Sequence, residues 1–156
     1  MENQATTAAG GVSQAPSPME SLIVVADYPD VTPQRVYDFW TTPALLCSWW
    51  PQEAELDVRV GGAYKLSWPK MGWRLRGRYT AVRPGERLAF TWVWEHEGND
   101  VRGVEVLFSP HETGARVTVR QGPYADTPAD RESRNGHLEG WLHFLGRLGE
   151  RLAQAS

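Results

Sequence analysis

Eight tryptophans and four histidines are the side chains of this 156-residue sequence best suited to binding or transforming a small molecule. An indole ring offers a wide apolar face and one hydrogen-bond donor, which together suit a flat organic ligand. Aromatic side chains also dominate protein cores, so most of these rings should be structural. Trp49 and Trp50 are adjacent at the end of a predicted short helix, where neighbours point about 100° apart. We therefore expect one ring to anchor that helix and the other to face a cavity rim or solvent.

The histidines and carboxylates form no recognisable catalytic or metal-binding pattern. His96 and His111 fall in predicted turns, while His137 and His143 lie on a predicted helix, about 240° apart around its axis. The sequence contains no HxxxH, HExxH, CxxC or GxSxG motif, so we predict no metal and no cofactor, and assign no catalytic residue. His137 precedes Trp141 by one turn and could place an imidazole at the mouth of a cavity.

Three arginines alternate with apolar residues in a predicted strand, at Arg74, Arg76 and Arg78. Side chains two residues apart share one face of a strand, and the ordinary interpretation of this pattern is a solvated outer face. A bulge that turned one arginine inward would instead let it hold the carboxylate or phosphate of a ligand.

Composition excludes several classes of protein. A length of 156 residues suits one domain, and a single cysteine rules out an intrachain disulfide. The net charge of -3 and pI near 5.8 argue against nucleic acid as a partner. The sequence contains no run of 18 apolar residues, so we predict no membrane span. The N-terminus lacks the pattern of a secretory signal. A cytoplasmic location is the resulting expectation.

The elements that position these side chains follow from changes in hydrophobic period. Residues 1–19 contain almost no large apolar side chains and predict a disordered tail, so the folded domain should comprise residues 20–156. A β-branched run at Ser21–Tyr28 predicts the first strand. Thr32–Pro33 and Thr42–Pro43 each combine an N-cap residue with proline at the first helical position, which predicts two short helices.

From Ala54 to Gln121 apolar and polar residues alternate, which predicts antiparallel strands with one dry and one wet face. Steps of three and four from Leu138 to Leu152 then predict a long amphipathic helix that covers the dry face. The fold class is therefore α+β: a curved antiparallel sheet wrapped around a long C-terminal helix, with two short helices after strand 1. We expect the space that this helix cannot fill to be a cavity reached from one end.

The chain resembles the bacterial Hsp90-ATPase-activator-like (AHSA1-like) branch of the SRPBCC, or START/Bet v 1-like, superfamily from about Leu22 to Leu152. Five segments carry the resemblance in order: VYDFWTTPALLCSWWP, VGGAYKLSW, GRYTAVRPGERLAFTW, VEVLFSP with TGARVTV, and GWLHFLGRLGERL. The resemblance implies a helix-grip fold whose cavity holds apolar or amphipathic small molecules. Members of the wider superfamily carry lipids, polyketides or hormones, and some are cyclases or hydrolases.

Our leading hypothesis is a binding protein, rather than an enzyme, for a hydrophobic or amphipathic small molecule held between the sheet and the C-terminal helix. The alternative is an enzyme acting on a polyketide-like or xenobiotic substrate in the same cavity, with His137 or an inward Arg76 as its polar group. The candidate lining residues are aromatic side chains near the expected opening and one histidine: Trp49, Trp50, Tyr64, Trp68, Trp73, Tyr79, Phe90, Trp92, Trp94, His137 and Trp141.

A third hypothesis is a regulator of an Hsp90-type chaperone or a stress-response interaction protein. The eukaryotic co-chaperone that gives the branch its name uses an additional N-terminal domain, and residues 1–19 are too short and polar to replace it. The predicted outer face of the sheet is also polar, whereas a docking surface should be apolar. An Hsp90 homologue is therefore not the expected partner. Homodimerisation through the open sheet edge or the Trp49–Trp50 region stays open.

Overall fold

The computed structural model describes residues 7–8, 11–18, 20–97 and 101–155. Within these ranges the helices are α1 (Pro33–Thr41), α2 (Pro43–Leu46) and α3 (Pro128–Ala155), and one 3-10 turn spans Glu95–Glu97. The strands are β1 (Thr7–Ala8), β2 (Val12–Gln14), β3 (Leu22–Tyr28), β4 (Glu53–Leu56), β5 (Ala63–Trp68), β6 (Trp73–Arg83), β7 (Arg87–Trp94), β8 (Arg102–His111) and β9 (Gly114–Gly122).

The strands of the described chain form one antiparallel sheet in the order β1-β2-β3-β9-β8-β7-β6-β5-β4. Strands β4 to β9 pair with their neighbours in sequence as a meander, and β3 then pairs along its whole length with β9. Long-range pairing thus places the first strand of the predicted domain beside the last. Together with α3, this sheet confirms the predicted α+β helix-grip fold.

Period-two alternation predicted the two faces of the sheet correctly. On β5 the side chains of Tyr64, Leu66 and Trp68 are buried, as are those of Val104, Val106 and Phe108 on β8. The three arginines of β6 are exposed on the opposite face: Arg74, Arg76 and Arg78. The alternative in which a bulge turns one of these arginines inward is therefore wrong, because β6 keeps its alternation through these positions.

The sheet bends between β6 and β7, and Gly77 is the residue that permits the close approach. A Cβ atom at Gly77 would overlap with the carbonyl oxygen of Thr91 on the neighbouring strand. The Thr91 hydroxyl accepts a hydrogen bond from the backbone N–H of Arg78 at 2.9 Å, and the register shifts between Tyr79 and Ala81. This irregularity curves the sheet toward α3.

Helix starts follow the predicted caps. The Thr32 hydroxyl accepts a hydrogen bond from the backbone N–H of Arg35 at 3.1 Å, with Pro33 at the first helical position. In the same way the Thr127 hydroxyl accepts from the backbone N–H of Asp130 at 3.2 Å. These bonds satisfy donors that the first turn of a helix cannot pair internally.

Helix α3 has 28 residues and is about 42 Å long at the usual rise per residue. It covers the dry face with a buried stripe of Trp141, Leu145 and Leu148. Two buried hydrogen bonds hold it there: the Tyr28 hydroxyl donates to the Leu145 carbonyl at 2.8 Å, and the Trp141 indole donates to the Gln121 side-chain oxygen at 2.8 Å. No helix in the described parts of the chain is long and apolar enough to cross a membrane.

The prediction of a disordered tail over residues 1–19 is wrong where β1 and β2 form and pair with each other. Residues 12–14 pair with residues 24–26 of β3, and Val12 has no exposed surface. Main-chain hydrogen bonds to a sheet edge order a segment that needs only one apolar side chain, so composition alone did not reveal it. The remainder of that prediction, at residues 1–6, 9–10 and 19, lies outside the described residues.

Candidate ligand-binding site

All eight tryptophans of the sequence belong to one continuous network of ring contacts. The contacts that connect them, as centroid distances, are Trp49–Trp40 (4.9 Å), Trp40–Trp141 (5.9 Å), Trp141–Trp50 (5.2 Å), Trp50–Trp68 (6.2 Å), Trp141–Trp92 (5.7 Å), Trp92–Trp94 (5.7 Å) and Trp94–Trp73 (6.0 Å). We call this network the tryptophan cluster. It fills the space between α1, α2, the sheet and the middle of α3.

Trp49 and Trp50 do not divide into an anchor and a rim residue as predicted. Both side chains are buried, and their rings stack on each other at 5.6 Å with 21° between their planes. The Trp49 indole donates a hydrogen bond to the Phe39 carbonyl at 2.9 Å, which fixes it against α1. The chain leaves regular helix before these residues, since α2 ends at Leu46, so the 100° separation does not apply to them.

The interior of the fold is almost filled. Its internal void has a volume of only about 10 Å³, which is roughly the room that one water molecule requires. The void is lined by Trp40, Leu46, Trp50, Leu56, Tyr64, Leu66, Tyr79, Leu88 and Phe90. In the part of the chain that the structure describes, the indole rings thus pack against one another and leave this space too small for a ligand.

The large opening lies instead at one end, between α3 and the edge formed by β6, β7 and the 3-10 turn. This open cleft has a volume of about 910 Å³. It is lined by Trp73, Trp92, Trp94, His96, Glu97, Ala129, Glu132, Ser133, Asn135, Gly136, His137, Glu139, Gly140, Trp141 and Phe144. We call it the end cleft, and it lies between sheet and C-terminal helix, as predicted for the cavity.

Small residues on α3 leave the room for the end cleft. Ala129, Ser133, Gly136 and Gly140 line it at steps of four, three and four, which places them on one side of the helix. An added Cβ at Gly136 or Gly140 would meet nothing within 4 Å. Phe144 follows four residues after Gly140 and closes the stripe with a large ring.

Aromatic rings form the opposite wall. Trp73 is 37% exposed, which is unusual for an indole in this protein. The His96 ring lies 4.6 Å from the Trp94 ring and 5.6 Å from the Trp73 ring, so the three form a continuous surface. Behind them Trp92 contacts Trp141 across the cleft floor, and through these rings the end cleft is continuous with the tryptophan cluster.

A hydrogen-bonded chain supports this wall from inside the protein. The Tyr124 hydroxyl lies 2.8 Å from His137 Nδ1, and His137 Nε2 lies 3.1 Å from the Glu97 carboxylate. With a neutral imidazole, the hydroxyl donates to Nδ1 and the Nε2–H donates to Glu97. Tyr124 and His137 are buried, and burial raises the pKa of the Tyr124 phenol. Both ring nitrogens of His137 thus have partners, Nδ1 with Tyr124 and Nε2 with Glu97.

Glu97 is kept ionised at the cleft wall. Partial burial raises its pKa, but the hydrogen bond from His137 and the electrostatic influence of His137, Arg102 and His96 outweigh that effect, so its pKa lies below the ordinary value. The carboxylate therefore presents a negative charge to the cleft at neutral pH.

A second polar group stabilises the start of α3 behind the wall. Arg102 is only 5% exposed; it lies 3.3 Å from Asp130, donates to the Pro123 carbonyl at 2.6 Å and stacks over the Tyr124 ring at 4.5 Å. The Ala125 N–H donates to Asp130 at 2.6 Å, and this bond, followed by the contact with Arg102, lowers the pKa of Asp130.

The predicted lining residues separate into three groups. Trp73, Trp92, Trp94, His137 and Trp141 line the end cleft. Trp50, Tyr64, Tyr79 and Phe90 line the small internal void. Trp49 and Trp68 line neither space; each donates its indole N–H to a backbone carbonyl, of Phe39 and Trp50 respectively.

Sequence reasoning missed most of the polar and small residues of the end cleft. The sequence predicts a turn at His96 and gives no indication that Gly136 borders a cleft. The overlooked signal was the stripe of small residues on α3, which lies opposite the strand ends that carry Trp73 and Trp94. In the described parts of the chain, no three His, Cys, Asp or Glu side chains are grouped so as to hold a metal ion.

Comparison with known proteins identifies the family. The sequence pattern of the family described as "Activator of Hsp90 ATPase homolog 1-like protein" matches residues 30–153. No curated protein is significantly similar to the chain.

Solved structures share the fold. A protein from Rhodobacter sphaeroides superposes with a TM-score of 0.78 at 20% identity, covering 92% of this chain and 99% of the other. CV1439 from Chromobacterium violaceum is 28% identical, with a TM-score of 0.67 and coverage of 84% and 95%. DynU16, from the dynemicin biosynthetic locus, has a TM-score of 0.77 at 19% identity and covers 89% of this chain, which spans 49% of DynU16.

Proposed function

The chain belongs to the activator of Hsp90 ATPase homologue 1-like (AHSA1-like) family, and from this premise we propose that it binds a hydrophobic or amphipathic small molecule in the end cleft. The observation that carries the proposal is the contrast between two spaces. The interior void has room for about one water molecule, whereas the cleft offers about 910 Å³. Small-molecule sites usually have volumes of roughly 300–1,000 Å³ with apolar walls and a few polar groups.

Burial of apolar surface would supply most of the affinity. A flat ligand that buries about 200 Å² would gain roughly 5 kcal/mol at about 25 cal/mol per Å². Association costs and imperfect desolvation reduce this gain, so we expect a Kd between about 0.01 and 1 mM for a naphthalene-sized probe. A larger natural ligand that also contacts Phe144 and Trp73 would bind more tightly.

A catalytic role has less support than binding. His137 is the histidine that sequence reasoning placed at the cavity mouth, but both of its ring nitrogens already have partners. Arg76 is exposed on the outer face of β6. A general acid or base must reach the reacting proton of a bound substrate. His137 would have to give up a hydrogen bond to do so, and Arg76 does not line the cleft.

Regulation of a chaperone also has less support. The family description names an activator of the Hsp90 ATPase, but a docking surface for a large partner should present a contiguous apolar patch. The outer face of β6 instead carries exposed arginines at 74, 76 and 78.

The test is isothermal titration calorimetry with 2-naphthalenemethanol as a neutral probe, on the wild type and on Gly140→Leu. A leucine side chain at 140 projects into the cleft, so we expect at least a tenfold weaker Kd for the variant. Arg147→Leu, at an exposed position of α3 outside the cleft, is the matched control and should bind like the wild type.

Saturable binding that is lost in Gly140→Leu and retained in Arg147→Leu supports the proposal. Binding that survives Gly140→Leu unchanged would place the probe elsewhere on the protein. No binding to the wild type up to the solubility limit of 2-naphthalenemethanol would contradict the proposed function.

A further inference from the structure

The charged residues around the end cleft are all acidic. Three glutamates line it, Glu97 on the sheet side and Glu132 and Glu139 on α3. Among the described residues that line the cleft, none is a lysine or an arginine. Glu132 and Glu139 are seven residues apart, two turns of the helix, so the three carboxylates face the same opening from two sides.

The nearby cations do not cancel this charge. Arg102 lies behind the wall, where it is bonded to Asp130 and to the Pro123 carbonyl. The titratable groups that face the cleft besides the glutamates are His96 and His137, and His137 donates to Glu97 when its imidazole is neutral. The carboxylates of the lining therefore outnumber its two imidazoles, and the lining includes no lysine or arginine among the described residues.

Glu97 is also fixed in position, which favours selective recognition. The bond from His137 Nε2 at 3.1 Å, supported by Tyr124 at 2.8 Å, holds one carboxylate oxygen and leaves the other without a partner among the described side chains. A carboxylate that is already oriented loses little conformational freedom when it binds a ligand.

The aromatic wall attracts the same kind of ligand group. The faces of indole rings carry negative electrostatic potential and bind ammonium groups, most strongly in the case of tryptophan. Trp73 and Trp94 stand with His96 on the wall next to Glu97, so the aromatic faces and the carboxylate occupy neighbouring places. An aromatic surface beside carboxylates recognises a cation attached to an apolar body.

We propose that the end cleft selects a ligand with an aromatic or otherwise apolar body and a protonated amine, which Glu97, Glu132, Glu139 and the indole rings recognise together. This inference rests on the proposed function, since it specifies the class of molecule that the same cleft binds. The apolar body occupies the space left by Gly136 and Gly140, and the ammonium group lies at the acidic rim.

The experiment compares three probes that share one ring system and differ in charge at neutral pH: 2-naphthylmethylamine (cation), 2-naphthalenemethanol (neutral) and 2-naphthoate (anion). Each is titrated calorimetrically into the full chain at low ionic strength. Ion pairing and cation–π contacts at a partly exposed site predict that the amine binds about tenfold more tightly than the alcohol. We expect the carboxylate to bind more weakly than the alcohol, because like charges repel.

Variants test whether the three glutamates cause the preference for the amine over the alcohol. Glu97→Gln/Glu132→Gln/Glu139→Gln should bring the Kd of the amine to within about twofold of the Kd of the alcohol measured on the same variant. Glu150→Gln, an exposed position of α3 outside the cleft, is the matched control and should keep the full preference. A cooperative thermal transition in far-ultraviolet circular dichroism shows that the triple variant is folded.

The outcomes separate the two proposals. Equal affinity for all three probes, or a preference for the carboxylate, would overturn the charge selectivity while the proposed function stands. A preference for the amine that the triple variant retains would also overturn it. Absence of binding by every probe would contradict both proposals.

Discussion

Gly136 and Gly140 occupy the interior of α3, where glycine is unfavourable, and replacing both by alanine should stabilise the protein. Glycine costs about 0.8–1.0 kcal/mol relative to alanine within a helix because it has more conformational freedom to lose. An added Cβ would meet nothing within 4 Å at either position, so no steric cost offsets the gain. We therefore expect Gly136→Ala/Gly140→Ala to raise the free energy of unfolding by up to about 2 kcal/mol.

Thermal unfolding followed by far-ultraviolet circular dichroism measures this gain. For a domain of about this size, each 1 kcal/mol shifts Tm by roughly 2–4 °C, so the double variant should unfold about 4–8 °C above the wild type. Gly149→Ala is the control on the same helix. Its Cβ would lie 3.1 Å from Tyr28 Cε1, so it should give a smaller gain or a loss.

A double variant that is less stable than the wild type would refute the reasoning, since it would mean that the face of α3 bordering the cleft is packed. The stabilised double variant should still bind 2-naphthalenemethanol with a Kd within about threefold of the wild type, because two methyl groups remove little of a 910 Å³ space. Such a result would indicate that the cleft requires small side chains at positions 136 and 140 and does not require glycine itself.

Three further predictions concern the core, a buried ion pair and the N-terminal strand. Trp49→Ala should cost about 3–5 kcal/mol in urea unfolding, because its ring is fully buried. Trp73→Ala, at the exposed edge of the cluster, should cost less than about 1 kcal/mol and weaken probe binding; similar losses would contradict this distinction between centre and edge. Asp130→Asn should cost about 2–3 kcal/mol because it removes a charged hydrogen-bond partner of the buried Arg102. The pKa of the Asp130 carboxyl is lowered in the folded state. The stability that this carboxylate contributes is therefore present above its ordinary pKa of 3.8 and is lost as the pH falls below that value. The difference in unfolding free energy between wild type and variant should shrink in acid, and a constant difference would contradict this. Val12→Ala should cost about 1–3 kcal/mol; no loss of stability would mean that β2 does not contribute to the fold.

The parts of the fold that depend on local chemistry could be predicted from the sequence. Thr32 and Thr127 cap helices because their hydroxyl groups accept hydrogen bonds from backbone groups three residues on. The two faces of β5 and β8 follow from the alternation of side chains, which has a period of two in any strand. The family resemblance implied a helix-grip fold, and the antiparallel sheet together with α3 confirms it.

The filled interior could not be predicted in the same way. Whether Trp50 borders a cavity or plugs it depends on rings from α1, β5, β7 and α3 that meet only in the folded protein, such as Trp40, Trp68 and Trp141. The chain leaves regular helix after Leu46, and both Trp49 and Trp50 are buried in the segment that follows.

The end cleft and β2 left only weak traces in the sequence. Gly136 and Gly140 have no side chains, and this matters for the space beside α3 although it gives no positive signal in the hydrophobic pattern. Strand β2 forms through main-chain pairing with β3, and backbone hydrogen bonds carry no residue signature beyond the buried Val12.

The most direct test of a filled interior and an open end cleft is the set of indole N–H signals in a ¹H–¹⁵N NMR spectrum, assigned by single Trp→Phe variants and followed during titration with 2-naphthylmethylamine. The largest shifts should occur at Trp73, Trp92 and Trp94, which line the cleft, while the Trp49 signal stays in place because its N–H is bonded to Phe39 inside the cluster. Shifts concentrated at Trp49 and Trp40, with Trp73 unaffected, would contradict the account and place the ligand in the interior.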